Sequence, residues 1–194
     1  MLIVADRNIP QVEEAFTAIG EVRLVDGRGL NALQLQDADI LLVRSVTPVN
    51  AKLLSGSKVR FVGSATIGID HIDLEYLRSS GIEFAYAPGS SAQAVAEYVL
   101  SAILALHAGR VDIGTVGIIG YGNTGSRLAR LLDVLGIEYL LNDPPLADSG
   151  TWPDREFVSL ADIKQADIIS LHVPLTAAGP YPTHHLIDAG FMHD

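Results

Sequence analysis

The sequence has no cysteine among its 194 residues, and this absence excludes disulfide bonds and thiolate metal sites. Positive charge is scarce as well, because 13 Lys and Arg stand against 23 Asp and Glu and give a net charge of −10. A chain this acidic repels nucleic acid and anionic membranes unless a basic patch overrides the repulsion, and the sequence contains no such patch. We therefore expect neither partner, and the lack of cysteine favours a cytoplasmic location.

Long apolar runs are also missing. No stretch reaches the length of about 18 apolar residues that a membrane span requires, and no signal-peptide pattern opens the chain. Hydrophobic residues nevertheless make up 48% of the sequence. This share is enough to bury the core of one or two small domains.

Short apolar runs alternate with helical patterns, which is typical of α/β proteins with parallel sheets. Before residue 88 the runs predict five strands, at 2–5, 22–25, 40–43, 59–62 and 82–86. A helix begun by Pro10 follows the first strand. Residues 1–88 are therefore predicted to form a doubly wound α/β domain of the flavodoxin-like kind.

A second pattern begins after residue 88. Ser90–Gln93 is typical of a capping box, and apolar residues follow at helical spacing, which predicts a buried inter-domain helix over 89–109. Strands are then predicted at 116–119, 137–141 and 168–171, with an amphipathic helix between the first two. We predict a second parallel-sheet unit, an incomplete Rossmann domain, over residues 110–194.

A glycine pattern lies between the strand at 116–119 and that helix. Gly120, Gly122 and Gly125 form GxGxxG, and Asp143 follows 18 residues later, at the end of the next strand. GxGxxG alone also occurs in ordinary tight turns, but this context is typical of dinucleotide binding. The three glycines permit, in order, the turn, the approach of a pyrophosphate and the close packing of the helix.

Asp143 also predicts which dinucleotide binds. Its carboxylate suits the hydroxyls of the adenosine ribose and would repel a 2′-phosphate. The following Pro144, Pro145 and Leu146 offer no cation to such a phosphate. The predicted cofactor is therefore NAD and not NADP.

Several motifs resemble the D-isomer-specific 2-hydroxyacid dehydrogenase family. They are RSVT at 44–47, TIGIDH at 66–71, APG at 87–89, DPP at 143–145 and LHVPL at 171–175, together with the GxGxxG context. The resemblance covers essentially the whole chain, and it is closest to a branch that serves pyridoxal phosphate biosynthesis. It implies NAD-dependent oxidation of a phosphorylated 2-hydroxy acid to a 2-oxo acid.

The same resemblance implies the domain roles. Residues 1–88 would bind the substrate, residues 110–194 would bind NAD, and the substrate would lie between them. The complete protein would be a homodimer.

Site residues also follow from the resemblance. Ser45 and Thr66 match substrate-binding positions, and both lie just beyond the ends of adjacent predicted strands, where open α/β sheets bind ligands. Arg44 is the natural anion anchor, with a structural ion pair to a nearby Asp as the alternative. For the two hydroxyls the alternative is the capping of loop backbone. The predicted cofactor residues are Gly120, Gly122, Asn123, Thr124, Gly125, Asp143 and Val173, where Val173 replaces the family's usual threonine.

The histidines are weaker candidates. His71 and His172 end strand segments without an identifiable carboxylate partner, so we interpret them as structural. His184 and His185 point in different directions on a regular backbone, so no metal site is expected.

No catalytic residue is predicted in this chain, because the family's catalytic Arg, Glu and His come from a later part of the dinucleotide domain. We expect the chain to be the N-terminal part of a dehydrogenase that does not turn substrate over alone. A non-catalytic NAD-binding or interaction module, or a dehydrogenase for another 2-hydroxy acid, stays open.

Overall fold

The computed structural model describes residues 1–107 and 113–193. The chain divides into two compact units, Met1–Pro88 and Gly89–Asp194, each built on a parallel sheet. The predicted α/β class is confirmed. Within those described ranges, no helix combines the length and apolar character needed to cross a membrane.

The first unit contains a five-stranded sheet. Its strands are β1 (Leu2–Asp6), β2 (Glu21–Val25), β3 (Ile40–Val43), β4 (Phe61–Ser64) and β5 (Glu83–Tyr86). They pair in the order β2-β1-β3-β4-β5, all parallel, which is the flavodoxin-like order. Its helices are α1 (Val12–Phe16), α2 (Ala51–Leu54) and α3 (Leu74–Ser79), with short 3-10 turns at Gly27–Gly29 and Ala32–Leu35.

The core of this unit lies on the two faces of β1 and β3. Ile3, Val4 and Leu41 are fully buried, and Leu42 is nearly so. Consecutive residues of both strands are therefore buried although they point to opposite faces. Such continuous apolar strands are typical of parallel sheets that are covered on both sides.

The second unit contains a three-stranded sheet in the order β7-β6-β8. Its elements are α4 (Ala92–Leu106), β6 (Val116–Ile119), α5 (Asn123–Leu135), β7 (Tyr139–Asn142), α6 (Pro144–Ser149), α7 (Leu160–Ile163), β8 (Ile168–Leu171) and α8 (Ala189–His193). All four residues of β6 are buried. Val158 lies beside the end of β7, because its N–H donates to the Leu141 carbonyl (2.7 Å) and its carbonyl accepts from the Asn142 side chain (2.7 Å).

One expectation for helix α4 is wrong. The N-cap residue Ser91 makes no side-chain cap hydrogen bond, and the Gln93 amide donates to the Glu97 carboxylate (2.8 Å) instead of closing a capping box. The face of α4 that packs on α5 is covered, while Tyr98 is 73% and Leu106 is 80% exposed. Burial of this helix between the two units stays a prediction. Positions 108 and 109 of the predicted helix lie outside the described residues.

Candidate functional site

The glycine loop lies at a reversal in strand order. β7 pairs with one side of β6 and β8 with the other, so the chain changes direction across the sheet at β6. Open α/β sheets bind ligands beyond the carboxyl ends of the strands at such a point. A cavity of about 460 Å³ lies there, lined by Ile119, Gly120 and Gly122 after β6 and by His172 and Val173 after β8.

The three glycines meet different surroundings. Gly120 has a φ of +93°, and a Cβ on it would come within 2.6 Å of the His172 carbonyl oxygen. A Cβ on Gly125 would overlap the carbonyl oxygen of Gly120, so this glycine lets α5 pack against the loop. A Cβ on Gly122 would meet nothing within 4 Å. Packing therefore accounts for two of the glycines, whereas Gly122 leaves open space beside the cavity.

Asp143 joins the glycine loop to helix α6. One carboxylate oxygen accepts from the Tyr121 N–H (2.7 Å), and the other accepts from the Leu146 N–H (3.1 Å) as the N-cap of α6. Pro144 and Pro145 form the first helical turn, where a missing N–H costs nothing. The two bonds fix the carboxylate at the cavity, and each oxygen keeps a lone pair for a further donor.

The side chain of Tyr121 also anchors this loop. It is 4% exposed and meets the rings of Trp152 and Phe157 edge-on, at centroid distances of 5.3 and 5.8 Å. The Arg155 guanidinium lies 5.8 Å from its ring centroid. Sequence reasoning missed this anchor, because the GxGxxG pattern leaves its second position free.

Of the seven predicted cofactor residues, all within the described part, four line the cavity: Gly120, Gly122, Asp143 and Val173. Asn123, Thr124 and Gly125 form the first turn of α5 instead. The sequence did not reveal a further part of the lining, which comes from α7 and the segment after β8. This part consists of Leu160, Pro174, Thr176, Pro180, Tyr181, Pro182, Thr183 and Leu186.

The two candidate histidines both contact serine hydroxyls. His172 Nε2 lies 2.8 Å from Ser170 Oγ, and His71 Nε2 lies 3.4 Å from Ser64 Oγ. Burial lowers the pKa of both imidazoles, although nearby Asp70 acts in the opposite direction on His71. Both rings are therefore neutral at pH 7, which fits the structural interpretation.

The predicted substrate residues lie at the carboxyl ends of neighbouring strands in the first unit. Arg44 and Ser45 follow β3 and Thr66 follows β4, and the Ala65 N–H donates to the Val43 carbonyl (2.9 Å), which keeps these ends adjacent. The Thr66 hydroxyl lies 3.0 Å from that of Ser64 and 3.4 Å from the Gly68 carbonyl. Its loop-capping alternative is thus realised, while its contact with substrate stays a prediction.

Arg44 forms the ion pair that was its alternative role. Its Nε and Nη2 donate to the two carboxylate oxygens of Asp6, at 3.0 and 3.4 Å. Burial raises the pKa of Asp6, which is 1% exposed, but hydrogen bonds from Asn8 and Arg44 outweigh burial and bring the pKa below its usual value. Arg44 is therefore neutralised yet held in one orientation with its side chain 30% exposed.

No group of three or more potential metal ligands occurs among the residues that the structure describes. His184 and His185 do not point apart as expected, since their ring centroids lie 3.9 Å from each other, edge to face. The reason is that His185 has a φ of +56° and so departs from the regular backbone that the expectation assumed.

Known proteins are similar to this chain in sequence. Residues 3–184 match the family described as "D-isomer specific 2-hydroxyacid dehydrogenase, catalytic domain". An erythronate-4-phosphate dehydrogenase of Salinibacter ruber is 54% identical over 98% of this chain and 50% of its own length. The chain spans about half the length of the curated relatives it matches.

Solved structures also match. A 3-phosphoglycerate dehydrogenase of Entamoeba histolytica with bound NAD+ is 25% identical, with a TM-score of 0.71 over 91% of this chain and 64% of its own. An acyclic imino acid reductase in complex with NADPH and D-Arg is 21% identical, with a TM-score of 0.68 over 91% of this chain and 66% of its own. The second likeness concerns the fold alone. Because the family match covers nearly all residues, this chain belongs to the D-isomer-specific 2-hydroxyacid dehydrogenases.

Proposed function

We propose that this chain is part of an NAD-dependent dehydrogenase that oxidises the 2-hydroxyl of 4-phospho-D-erythronate to give 2-oxo-3-hydroxy-4-phosphobutanoate, in pyridoxal phosphate biosynthesis. The relatives that carry the name of this activity support it, since they are 54% and 53% identical over nearly the whole chain. The observation that carries the proposal is the cavity at the β6/β8 reversal, with Asp143 fixed at its edge.

The proposed cofactor is NAD and not NADP. Proteins of this fold hold either dinucleotide, since one structural neighbour is solved with NAD+ and another with NADPH. Selection must therefore come from local residues. Asp143 supplies a carboxylate where a 2′-phosphate would lie, and among the residues that the structure describes, those that line the cavity include no Arg or Lys. A phosphate there would meet repulsion without compensation.

The cavity residues divide the task of binding. The N-terminus of the 13-residue helix α5 offers backbone N–H groups to the pyrophosphate beside Gly122. Asp143 accepts hydrogen bonds from the adenosine ribose. NAD, when bound, supplies the hydride acceptor.

In the first unit we propose that Arg44, Ser45 and Thr66 bind the anionic substrate. The ion pair with Asp6 then fixes the orientation of the Arg44 guanidinium and offsets part of the positive charge of Arg44. The described histidines with side-chain hydrogen bonds contact hydroxyl or carbonyl oxygens, as in His71–Ser64, His107–Ile103 and His172–Ser170. We therefore assign no catalytic base to these residues.

Domain roles follow from this division. We propose that residues 1–88 form the substrate-binding domain and residues 110–194 the NAD-binding domain, with the helix predicted over 89–109 joining them. A cytoplasmic location and a homodimer of the complete protein stay predictions.

The test separates cofactor binding from turnover. Calorimetric titration of this chain should show tighter binding of NAD than of NADP, and Asp143→Asn should reduce that preference. The protein encoded by the complete reading frame should reduce NAD with 4-phosphoerythronate, and Thr66→Val should raise the KM for this substrate more than that for NAD. NAD binding without 4-phosphoerythronate oxidation would favour a dehydrogenase for another 2-hydroxy acid or a non-catalytic module. Preference for NADP would refute the role of Asp143.

A further inference from the structure

The segment after β8 forms a strap, residues 177–182, that borders the cavity. Its two ends are pinned together, because the Thr183 N–H donates to the Thr176 carbonyl (3.0 Å) and the Thr176 N–H donates to the Thr183 hydroxyl (2.8 Å). The two hydroxyl oxygens are 3.1 Å apart. The strap is therefore a closed loop with a fixed base.

One further contact fastens the strap away from its base. The Tyr181 hydroxyl donates to Asp148 Oδ2 at 2.6 Å, across 33 residues of sequence. Asp148 lies on α6, the helix that Asp143 caps. Short hydrogen bonds to a carboxylate are among the stronger ones. The bond thus connects the strap to the helix whose Pro144 and Pro145 also line the cavity.

The surfaces joined in this way are rigid and apolar. Five prolines line the cavity: Pro144 and Pro145 from α6, Pro174 after β8, and Pro180 and Pro182 from the strap. Proline rings have a fixed φ and no N–H, so they present flat apolar walls that need no hydrogen-bond partner. Such walls suit a flat aromatic group with few polar demands on its faces, and adenine is the group of this kind in a dinucleotide.

We propose that the Tyr181–Asp148 hydrogen bond positions the strap against α6 and so sets the width of the cavity for the adenine base. Tyr181 is in this role a positioning residue, since its hydroxyl acts through the strap. The inference rests on the proposed dinucleotide site, because it assigns the adenine end of that site to the proline walls.

Removing the hydroxyl tests the proposal. Tyr181→Phe keeps the ring, and because the residue is 41% exposed the fold should be retained. Calorimetry on this chain should show ADP-ribose and NAD binding about three- to tenfold more weakly, the scale of one ordinary hydrogen bond, because the lost bond acts on the ligand only through the strap. Asp148→Ala should have the same effect, and the double variant should lose no more than either single one. Asp148→Asn keeps an acceptor and should retain most of the affinity.

Tyr139→Phe is the matched control. Its hydroxyl donates to Asp133 at 2.8 Å in the same unit, but Tyr139 does not line this cavity. Affinity for ADP-ribose should not change in this variant. Equal losses in Tyr139→Phe and Tyr181→Phe would mean that a general loss of stability, and not the strap, weakens binding, and would overturn the proposal.

Amide hydrogen exchange provides a measurement that needs no ligand. The hydrogen-bonded amides at the base of the strap, those of Thr176, Thr183 and His184, should exchange several-fold faster in Tyr181→Phe than in the unmodified chain, while β6 should exchange at the same rate. Unchanged exchange at the base of the strap would overturn the tether. If Asp143→Asn weakens NAD but Tyr181→Phe does not, only the strap inference fails. If the folded chain binds no adenosine ligand at millimolar concentration, both the proposed dinucleotide site and the strap inference fail.

Discussion

Asp143 should contribute to folding as well as to cofactor binding, and the two contributions can be separated. Asp143→Ala removes the N-cap of α6, which is worth about 1 kcal/mol, and leaves the part-buried Tyr121 N–H without its acceptor, which costs about 1–3 kcal/mol more. We therefore expect the free energy of unfolding to fall by about 2–4 kcal/mol, a large fraction of the roughly 5–15 kcal/mol typical of a protein domain.

The single tryptophan makes this measurable in the second unit. Trp152 packs against Tyr121, so denaturant titration followed by tryptophan fluorescence reports on the unit that contains Asp143. Ser159→Ala is the control, because Ser159 caps only the short helix α7 and should cost about 1 kcal/mol. The loss of stability in Asp143→Asn should lie between the losses in Asp143→Ala and Ser159→Ala, since Asn caps well but offers one acceptor oxygen to two N–H donors.

The outcome that would refute this reasoning is an Asp143→Ala variant no less stable than Ser159→Ala. The Tyr121 N–H would then have found water at little cost, and the carboxylate would not fix the loop. A reduction in NAD affinity at unchanged stability would leave Asp143 as a ligand contact alone.

Three further predictions concern neighbouring features. Gly125→Ala forces a Cβ against the Gly120 carbonyl and should destabilise the second unit by about 1–3 kcal/mol. Gly122→Ala should leave the thermal unfolding temperature unchanged but should reduce the affinity for NAD, measured by calorimetry, at least tenfold. The pKa of Asp6 in the folded protein lies below its usual 3.8, so its contribution to stability is present above about pH 4 and is lost as the pH falls through the folded pKa. In Asp6→Asn the stability of the first unit, followed by amide exchange in β1, should therefore depend less on pH in this acidic range. Binding of NAD should change the emission of Trp152, which meets the glycine loop through the Tyr121 ring, and an unchanged spectrum at saturation would contradict that coupling.

The apolar patterns identified every strand but misplaced several ends, and two of the errors share a cause. Ile82 and Ile137 were predicted to begin strands, yet each follows a glycine in the left-handed region and donates its N–H back to a helix carbonyl, of Leu77 and Leu132 respectively. This is the hydrogen-bond pattern of the Schellman motif, which buries an apolar residue just after a helix. In sequence, that residue looks like the first of the next strand.

The site was predictable where it rests on local sequence and not where it rests on contacts between distant segments. Gly120, Gly122 and Asp143 belong to one strand-turn-helix-strand pattern, and its spacing alone predicts that they lie together. The Tyr181–Asp148 and Arg44–Asp6 contacts join residues 33 and 38 positions apart. Sequence offered a nearby Asp as a partner for Arg44 but could not name Asp6, because only the order of the strands brings β1 beside β3.

Side chains occupy the reversal in strand order of the first unit, whereas a cavity lies at that of the second. In the first unit the order reverses between β1 and β3, where β1 ends in Asp6, and Asp6 pairs with Arg44. A Cβ on Gly27 would overlap the Asp6 carboxylate, and Thr47 donates to the Gly27 carbonyl (2.9 Å), so side chains fill this position. In the second unit β6 ends in Ile119, an apolar residue at the register position that Asp6 has in β1, and Ile119 lines the cavity. The same topology thus produces a neutralised ion pair in one unit and an open cavity in the other.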